Sequence, residues 1–268
     1  MKKLIAMTLV LCAILLPAAA QNVRLRLATT TSTQDSGLLP VLNPPFEKLT
    51  GITVDVIAVG TGKALKLGEN GDVDVVLVHD RKAEDKFVAQ GFGVNRRDVM
   101  HNDFVVVGPT EDPVGTARST STADAFSRIA AAGAPFVSRG DASGTNAKEL
   151  ELWAAVPLNP KGAWYKEAGQ GMGEVLIMSN NLKAYTLTDR GTWIAMKDKL
   201  AGLRILVEGD PALFNPYGVI AVNPQKHPEA NYMAAMQYIA WVTSAQGQKV
   251  IREYAMGGQQ LFTPDAVK

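Results

Sequence analysis

The sequence predicts an α/β fold built on a largely parallel sheet covered by helices on both faces. Short β-branched, apolar runs alternate with helix-period segments, which implies parallel strands joined by helical crossovers. Several of those runs end in loops rich in Ser, Thr and Gly that open helices. A chain of about 250 residues behind its leader is long enough for two lobes or one large domain.

Residues 24–28 alternate polar and apolar and stop at Thr29-Thr30-Thr31-Ser32. Residues 37–49 read as a helix that Pro44-Pro45 should interrupt or restart. A strand at 53–59 is broken by Gly60-Thr61-Gly62 and followed by a helix at 63–69. Residues 74–78 form a short buried strand, with a helix at 83–90 behind it. The run 104–107 is the next strand, and 123–132 a helix capped by Ser121 or Thr122. A strand at 136–138 leads through Arg139-Gly140-Asp141-Ala142-Ser143-Gly144-Thr145 into a helix at 146–155. Further on come a glycine-rich turn at 169–173, a helix to about 181, a strand at 185–187 and a short helix capped by Thr188. Strands at 203–207 and 219–222 precede two closing helices, 228–242 and 244–254. Thr243 with Gln246 makes a capping-box pattern for the second. No internal repeat or low-complexity stretch interrupts this order.

The first twenty residues predict export. Lys2 and Lys3 precede an apolar run at 4–16 and the small residues Ala18 and Ala20, the pattern of a cleaved secretory leader. The run is shorter than the roughly 20 residues that span a bilayer. Leu11 before Cys12 does not suit a lipoprotein cleavage site, so the mature chain, starting near Gln21 or Asn22, carries no cysteine and neither disulfide nor thiolate chemistry. With 27 Lys and Arg against 26 Asp and Glu before the leader is lost, the chain is close to neutral. That balance excludes the basic stripe of a nucleic-acid surface.

Three of the loops, 29–32, 60–62 and 139–145, share a chemistry. In open α/β sheets ligands bind at the carboxyl ends of strands. A tetrahedral, deprotonated oxyanion has acceptors only, and hydroxyls, free helix N–H groups and a guanidinium are the donors that suit it. Thr29-Thr30-Thr31-Ser32 supplies four hydroxyls. Gly60-Thr61-Gly62 lets backbone approach closely, but Leu65 breaks the dinucleotide pattern and the Walker spacing is missing. Arg139-x-x-x-Ser143-Gly144-Thr145 joins a permanent cation to two hydroxyls and a glycine at a helix start, with Asp141 placed to hold the guanidinium. His79, His101 and His227 show no metal-ligand spacing, and His79 reads as structural. The tryptophans and most tyrosines read as packing, with Tyr185 placed to reach a cleft or hinge. Thr188-Asp189-Arg190 reads as a cap and an ion pair between lobes.

At these residues the chain resembles the periplasmic tungstate-binding proteins of ABC transporters. The matching stretches are Thr29 to Ser32, 74–79, 102–109, 138–145, 169–173 and 184–192, which together sample nearly all the mature chain. The resemblance implies a two-lobed periplasmic binding protein of type II, each lobe a mixed, mostly parallel sheet flanked by helices and joined by a two-strand hinge. It implies a leader at 1–20, lobe I from 22–104 and 210–268, and lobe II from 105–209. Thr30, Ser32, Thr61, Gly62, Arg139, Ser143, Gly144 and Thr145 would then contact the anion, with Arg139 as the main charge partner. The ligand implied is tungstate, with molybdate and then phosphate as alternatives. The partner implied is a membrane permease, reached by a monomeric periplasmic receptor with no cofactor and no free metal ion.

Asp80 departs from the family's small apolar residues after His79. Phosphate-type sites place a carboxylate in this region to accept the ligand's proton. Here Asp80 is expected to cap the following helix and point outward. An exported hydrolase is the competing class, but the sequence has no Gly-x-Ser-x-Gly elbow, paired His and carboxylate cluster or mature cysteine nucleophile. An anion-sensing module is a third class, for which the chain carries no attached signalling domain.

Overall fold

The computed structural model describes residues 23–141, 143–156 and 160–266. The expected leader at 1–20, with Cys12, and the mature start at Gln21 or Asn22 lie outside the described residues.

β1 (Arg24–Thr30) begins half-exposed and becomes continuously buried. It lies between parallel neighbours, and both of its faces are covered, Leu25 and Leu27 joining one apolar cluster and Ala28 another. α1 (Thr31–Asp35) and α2 (Leu39–Thr50) follow, then β2 (Thr53–Val59), α3 (Thr61–Asn70), β3 (Val75–Val78) and α4 (Arg81–Ala89). The chain breaks at Gly37, whose φ of 75° suits glycine, and not at Pro44-Pro45 as expected. α2 passes through the proline pair because the N–H groups the prolines lack would have bonded the carbonyls of Pro40 and Val41. Both of those residues are exposed, so water can serve instead.

β4 (Gly93–Pro109) is a single strand of 17 residues. Its second half is the expected run at 104–107. Its first half carries Arg96, Arg97, Asp98, Asn102 and Asp103 and shows no apolar pattern; pairing with β9 holds it extended. Asn95, at a φ of 54°, marks the register shift between Val94 and Arg97. α5 (Thr122–Ala132), β5 (Phe136–Ser138), α6 (Gly144–Ala154), β6 (Tyr165–Glu167), α7 (Met172–Leu182), β7 (Thr186–Asp189), α8 (Arg190–Met196) and β8 (Leu203–Val207) come next. β9 (Phe214–Val222), α9 (Tyr232–Val242) and α10 (Ala245–Glu253) complete the principal elements.

The fold is α/β with a mixed sheet and flanking helices. β2, β1 and β3 run parallel; β9 lies antiparallel to β3, and β4 antiparallel to β9. From Phe104 onward β4 leaves β9 and pairs β7 and β8, both antiparallel. β5 pairs β6 in parallel and touches Tyr185 in a parallel bridge. The chain therefore passes between the two sides twice, along β4 and again into β9. Side chains on β4 alternate between cores: Val105 and Val107 join the largest apolar cluster, Phe104 and Val106 a second one around Phe126, Phe136 and Trp153. A third cluster packs α3 and α4 on β3 through Val76, Leu65 and Phe87.

Two caps fall one residue later than expected. Asp189, not Thr188, caps α8, its carboxylate accepting from Thr192 N at 2.8 Å. Ser244 caps α10, while Thr243 closes α9 by donating its hydroxyl to Ile239 O. Arg190 pairs with Asp103 and Glu208, so the expected ion pair forms at the end of β7. Tyr185 is buried in the second cluster and donates to Asp112.

Gly108 lies where β4 passes under Tyr185 and beside β8. A Cβ there would stand 2.4 Å from Tyr185 Cδ1 and 2.7 Å from Leu206 Cδ1. Gly108→Ala is expected to destabilise the fold by about 1–3 kcal/mol through overpacking. An unchanged urea midpoint would contradict that tight approach.

Candidate functional site

The three hydroxyl- and glycine-rich loops meet. β1 ends at Thr30, whose hydroxyl caps α1 by accepting from Thr33 N at 3.3 Å and contacts Thr33 Oγ1 at 2.7 Å. That hydroxyl also stands 3.1 Å from Ser32 Oγ. Ser32 reaches His79 Nε2 at 3.2 Å, at the end of β3. α6 closes the circuit from the other side of the sheet. Gly144 N donates to Thr61 Oγ1 at 3.2 Å, and a Cβ on Gly144 would stand 2.9 Å from His79 O. Only glycine permits that approach without displacing the backbone of the β3–α4 turn.

Arg139 leaves the end of β5 buried, at 2% exposure. Its Nη2 donates to Asp141 Oδ2 at 2.7 Å and to Thr31 Oγ1 at 3.3 Å. Asp141 also accepts from Ser143 N at 3.2 Å, so one carboxylate holds both the guanidinium and the turn before α6. Ser143 caps α6, accepting from Asn146 N at 3.0 Å. Thr145 is buried in the first turn of α6. Arg139 Nε and Thr145 Oγ1 are buried without a hydrogen-bond partner. A buried polar group left unpaired costs about 1–3 kcal/mol, so an external partner for either donor would be stabilising.

The structure thus brings Thr30, Ser32, Thr61, Arg139, Ser143, Gly144 and Thr145 into one connected region. Gly62 joins it through Thr61, as the second residue of α3. Two of the helices that begin here, α3 and α7, have glycine at the N-cap and no side-chain cap. At α7 the Gly173 amide is held instead by Asp35, whose carboxyl is pushed up to about 6 by burial and by the neighbouring Glu174 and Asp189, with the Arg139 charge and the Gly173 bond opposing. Asp80 caps α4, accepting from Ala83 N at 3.1 Å, as expected.

Besides His79 and Asp141, four more residues outside the expected set belong to the same region. Thr31 receives the Arg139 guanidinium. Thr192 donates to Ser32 O at 3.4 Å. Asn215, on β9, contacts His79 Nδ1 through its carbonyl oxygen at 2.9 Å. Asp189 caps α8 with one carboxylate oxygen and buries the other without a partner; burial raises its pKa, with the Thr192 bonds and the Arg139 charge opposing. Thr31 and Thr192 were legible as hydroxyl residues in matching stretches. Asn215 gives no local signal, because its partner is 136 positions away in sequence.

His79 stacks on Tyr217, with ring centroids 4.8 Å apart. Its pKa is pushed down to about 4 by burial; the Asn215 bond opposes the fall and the charge on Arg139 adds to it. The imidazole is therefore neutral at pH 7. Among the described residues no group of three or more His, Cys, Asp or Glu is placed to hold a metal ion. No helix among them is long and apolar enough to cross a membrane.

Two sides of a mixed sheet joined by crossing strands, with helix starts and an arginine facing one another, define the solute-binding class of α/β proteins. The PBP superfamily domain matches residues 17–246, and the chain belongs to that superfamily. It is similar to the tungstate ABC transporter structure from Geobacter sulfurreducens, with 61% identity and a TM-score of 0.80, covering 86% of this chain and 98% of that one. It is similar to the tungstate-binding protein TupA from Desulfovibrio alaskensis G20, with 47% identity and a TM-score of 0.77, covering 91% and 99%. The tungstate-binding protein TupA of Peptoclostridium acidaminophilum is 50% identical over 246 residues, 90% of this chain and 86% of that protein.

Because the unfolded imidazole titrates near 6.5 and the folded one near 4, the unfolded chain takes up the proton first as pH falls. The stability that neutral His79 contributes is present above about pH 6.5 and is lost as pH falls towards 4. Between pH 7 and 4.5 the wild-type protein is expected to lose up to about 3 kcal/mol more than His79→Gln in urea unfolding. Parallel pH profiles for the two proteins would contradict the buried, neutral assignment.

Proposed function

We propose that this protein is the exported solute receptor of an ABC transporter, that it captures tungstate in the region around Arg139, and that it delivers the anion to a membrane permease. The observation that carries the site is the pair of buried, unpartnered donors, Arg139 Nε and Thr145 Oγ1, near the start of α3, which no side chain caps and whose Thr61 accepts from Gly144 N. The choice of tungstate is supported by the relatives that carry that name. Tungstate and molybdate share charge and nearly share size, so molybdate is the second ligand. Sulfate is smaller, and phosphate at neutral pH brings a proton that needs an acceptor.

In this reading the contacts are Thr30, Ser32, Thr61 and Gly62 from one lobe and Arg139, Ser143, Gly144 and Thr145 from the other. Lobe I is 22–104 with 210–268, lobe II is 105–209, and the leader at 1–20 is removed on export to the periplasm. The receptor acts as a monomer, without a cofactor and without catalysis. Binding across both lobes favours the closed form to the extent that the anion binds it better than the open one.

A second reading is favoured by one observation. Ser32, His79 and Asn215 stand in the order of a nucleophile, a base and an orienting group, at 3.2 and 2.9 Å. Chromogenic phosphate and ester substrates test it; turnover that vanished in Ser32→Ala would establish a hydrolase. Ser32 is fully buried, and no turnover is expected.

Arg139→Ala is expected to weaken tungstate binding at least a hundredfold in calorimetry, because it removes a buried charge partner, worth roughly 2–5 kcal/mol. Thr145→Val should weaken it about tenfold, the effect of one neutral hydroxyl. Near-normal affinity in Arg139→Ala would reject the site. Competition among tungstate, molybdate, sulfate and phosphate tests the ligand, and tight phosphate binding with silence toward tungstate would reject it.

A further inference from the structure

A buried polar row runs from β4 to the anion region. Asn215 Nδ2 donates to Asn102 Oδ1 at 2.7 Å, Asn215 Oδ1 meets His79 Nδ1 at 2.9 Å, and His79 Nε2 meets Ser32 Oγ at 3.2 Å. Ser32 then meets the Thr30 hydroxyl. Asn102, His79, Ser32, Thr30 and Asn215 are all buried. Each link fixes the next one. An amide nitrogen only donates and its oxygen only accepts, so the Asn215 oxygen requires a proton on His79 Nδ1. A neutral imidazole then has a lone pair at Nε2, and the Ser32 hydroxyl must donate to it. In this direction Ser32 turns lone pairs, and no proton, toward an anion.

We propose that His79 sets the direction of the Ser32 hydroxyl, and through it the choice between unprotonated and singly protonated oxyanions. The inference rests on the reading of this region as an oxyanion receptor. With the proton on Nδ1, Ser32 suits an oxyanion that still carries an O–H and repels one that carries none. Tungstate, which has only acceptors, requires the row to run the other way. His79 then carries its proton on Nε2 and donates to Ser32 Oγ, which frees the serine hydrogen for the anion. The Asn215 amide makes a half-turn, so that its nitrogen faces Nδ1.

The surroundings accommodate that reversal. Asn102 Nδ2 is buried without a partner, so turning the Asn102 amide forfeits no bond on that side and presents a donor to the turned Asn215 oxygen. The Tyr217 hydroxyl, 3.3 Å from Asn215 Nδ2, accepts in one direction and can donate in the other. One proton leaves Nδ1 and one arrives at Nε2 by exchange with solvent, so binding takes up no net proton at His79.

Nitrogen-15 spectra of histidine-labelled mature protein distinguish the two tautomers. The free protein is expected to show His79 as Nδ1–H, and the protein saturated with sodium tungstate as Nε2–H. In Ser32→Ala, which removes the link to the anion, tungstate should leave His79 as Nδ1–H. Calorimetry on the same samples separates the two levels of inference. Tungstate binding with His79 in one unchanged tautomer overturns the row as a selector and leaves the receptor standing. Absence of tungstate binding overturns the receptor, and the selector with it.

Discussion

The close approach of α6 to the β3–α4 turn is the contact on which the rest of the site depends. It requires Gly144, since even a methyl group would meet the His79 carbonyl at 2.9 Å. Once that approach is made, Gly144 N finds Thr61 and the turn before α6 is fixed in space. Arg139 lies five residues earlier on the same turn, tied to it by Asp141, and so is delivered to Thr31 at the start of α1. Fixing one helix start against another strand end therefore brings the cation to the hydroxyls. None of them needs a separate packing device.

Charge is arranged with similar economy. Arg139 is buried, and a lone buried cation would be costly. Asp141 neutralises it with a single bond at 2.7 Å and leaves Nε without a partner. The guanidinium has five N–H groups in a rigid fork, so the bond to Asp141 orients the remaining donors without exhausting them. Asp189 works from the other side: buried, capping α8, and close enough for the Arg139 charge to oppose its rising pKa. The region carries charges of both signs, so an anion bound as proposed would meet an oriented set of donors, not a bare excess of positive charge.

The parts of this arrangement that were legible in the sequence are the local ones. Arg139, Ser143, Gly144 and Thr145 fall within seven positions, and a cation, a cap and a glycine at that spacing have a local reason to be there. Asp80 and Ser121 were legible as caps for the same reason. Where two capping residues stand side by side, sequence alone does not rank them, which is why Asp189 and Ser244 displaced Thr188 and Thr243. The first half of β4 was not legible, because its extended form comes from β9 across the sheet and not from its own charged side chains. Asn215 was not legible either: it lies before the strand expected at 219–222, yet it sits in β9 opposite Asn102. What escaped is the long-range part of the hydrogen-bond network, and that part controls Ser32.

The bonds that join the two sides also bear on how an anion could act. Gly144 to Thr61, Arg139 to Thr31 and Thr192 to Ser32 link them through groups in or beside the ligand set. The exposed pair Lys82–Glu151 also spans α4 and α6, but at 82% and 49% side-chain exposure a surface pair contributes at most about 1 kcal/mol and is screened by salt. The bonds least exposed to solvent and salt therefore lie at the site itself. An anion arriving there competes with those bonds as well as adding its own. If the anion binds as proposed, its net gain is the difference between the two, so a donor with no internal partner, such as Arg139 Nε, contributes more than one already engaged between the two sides.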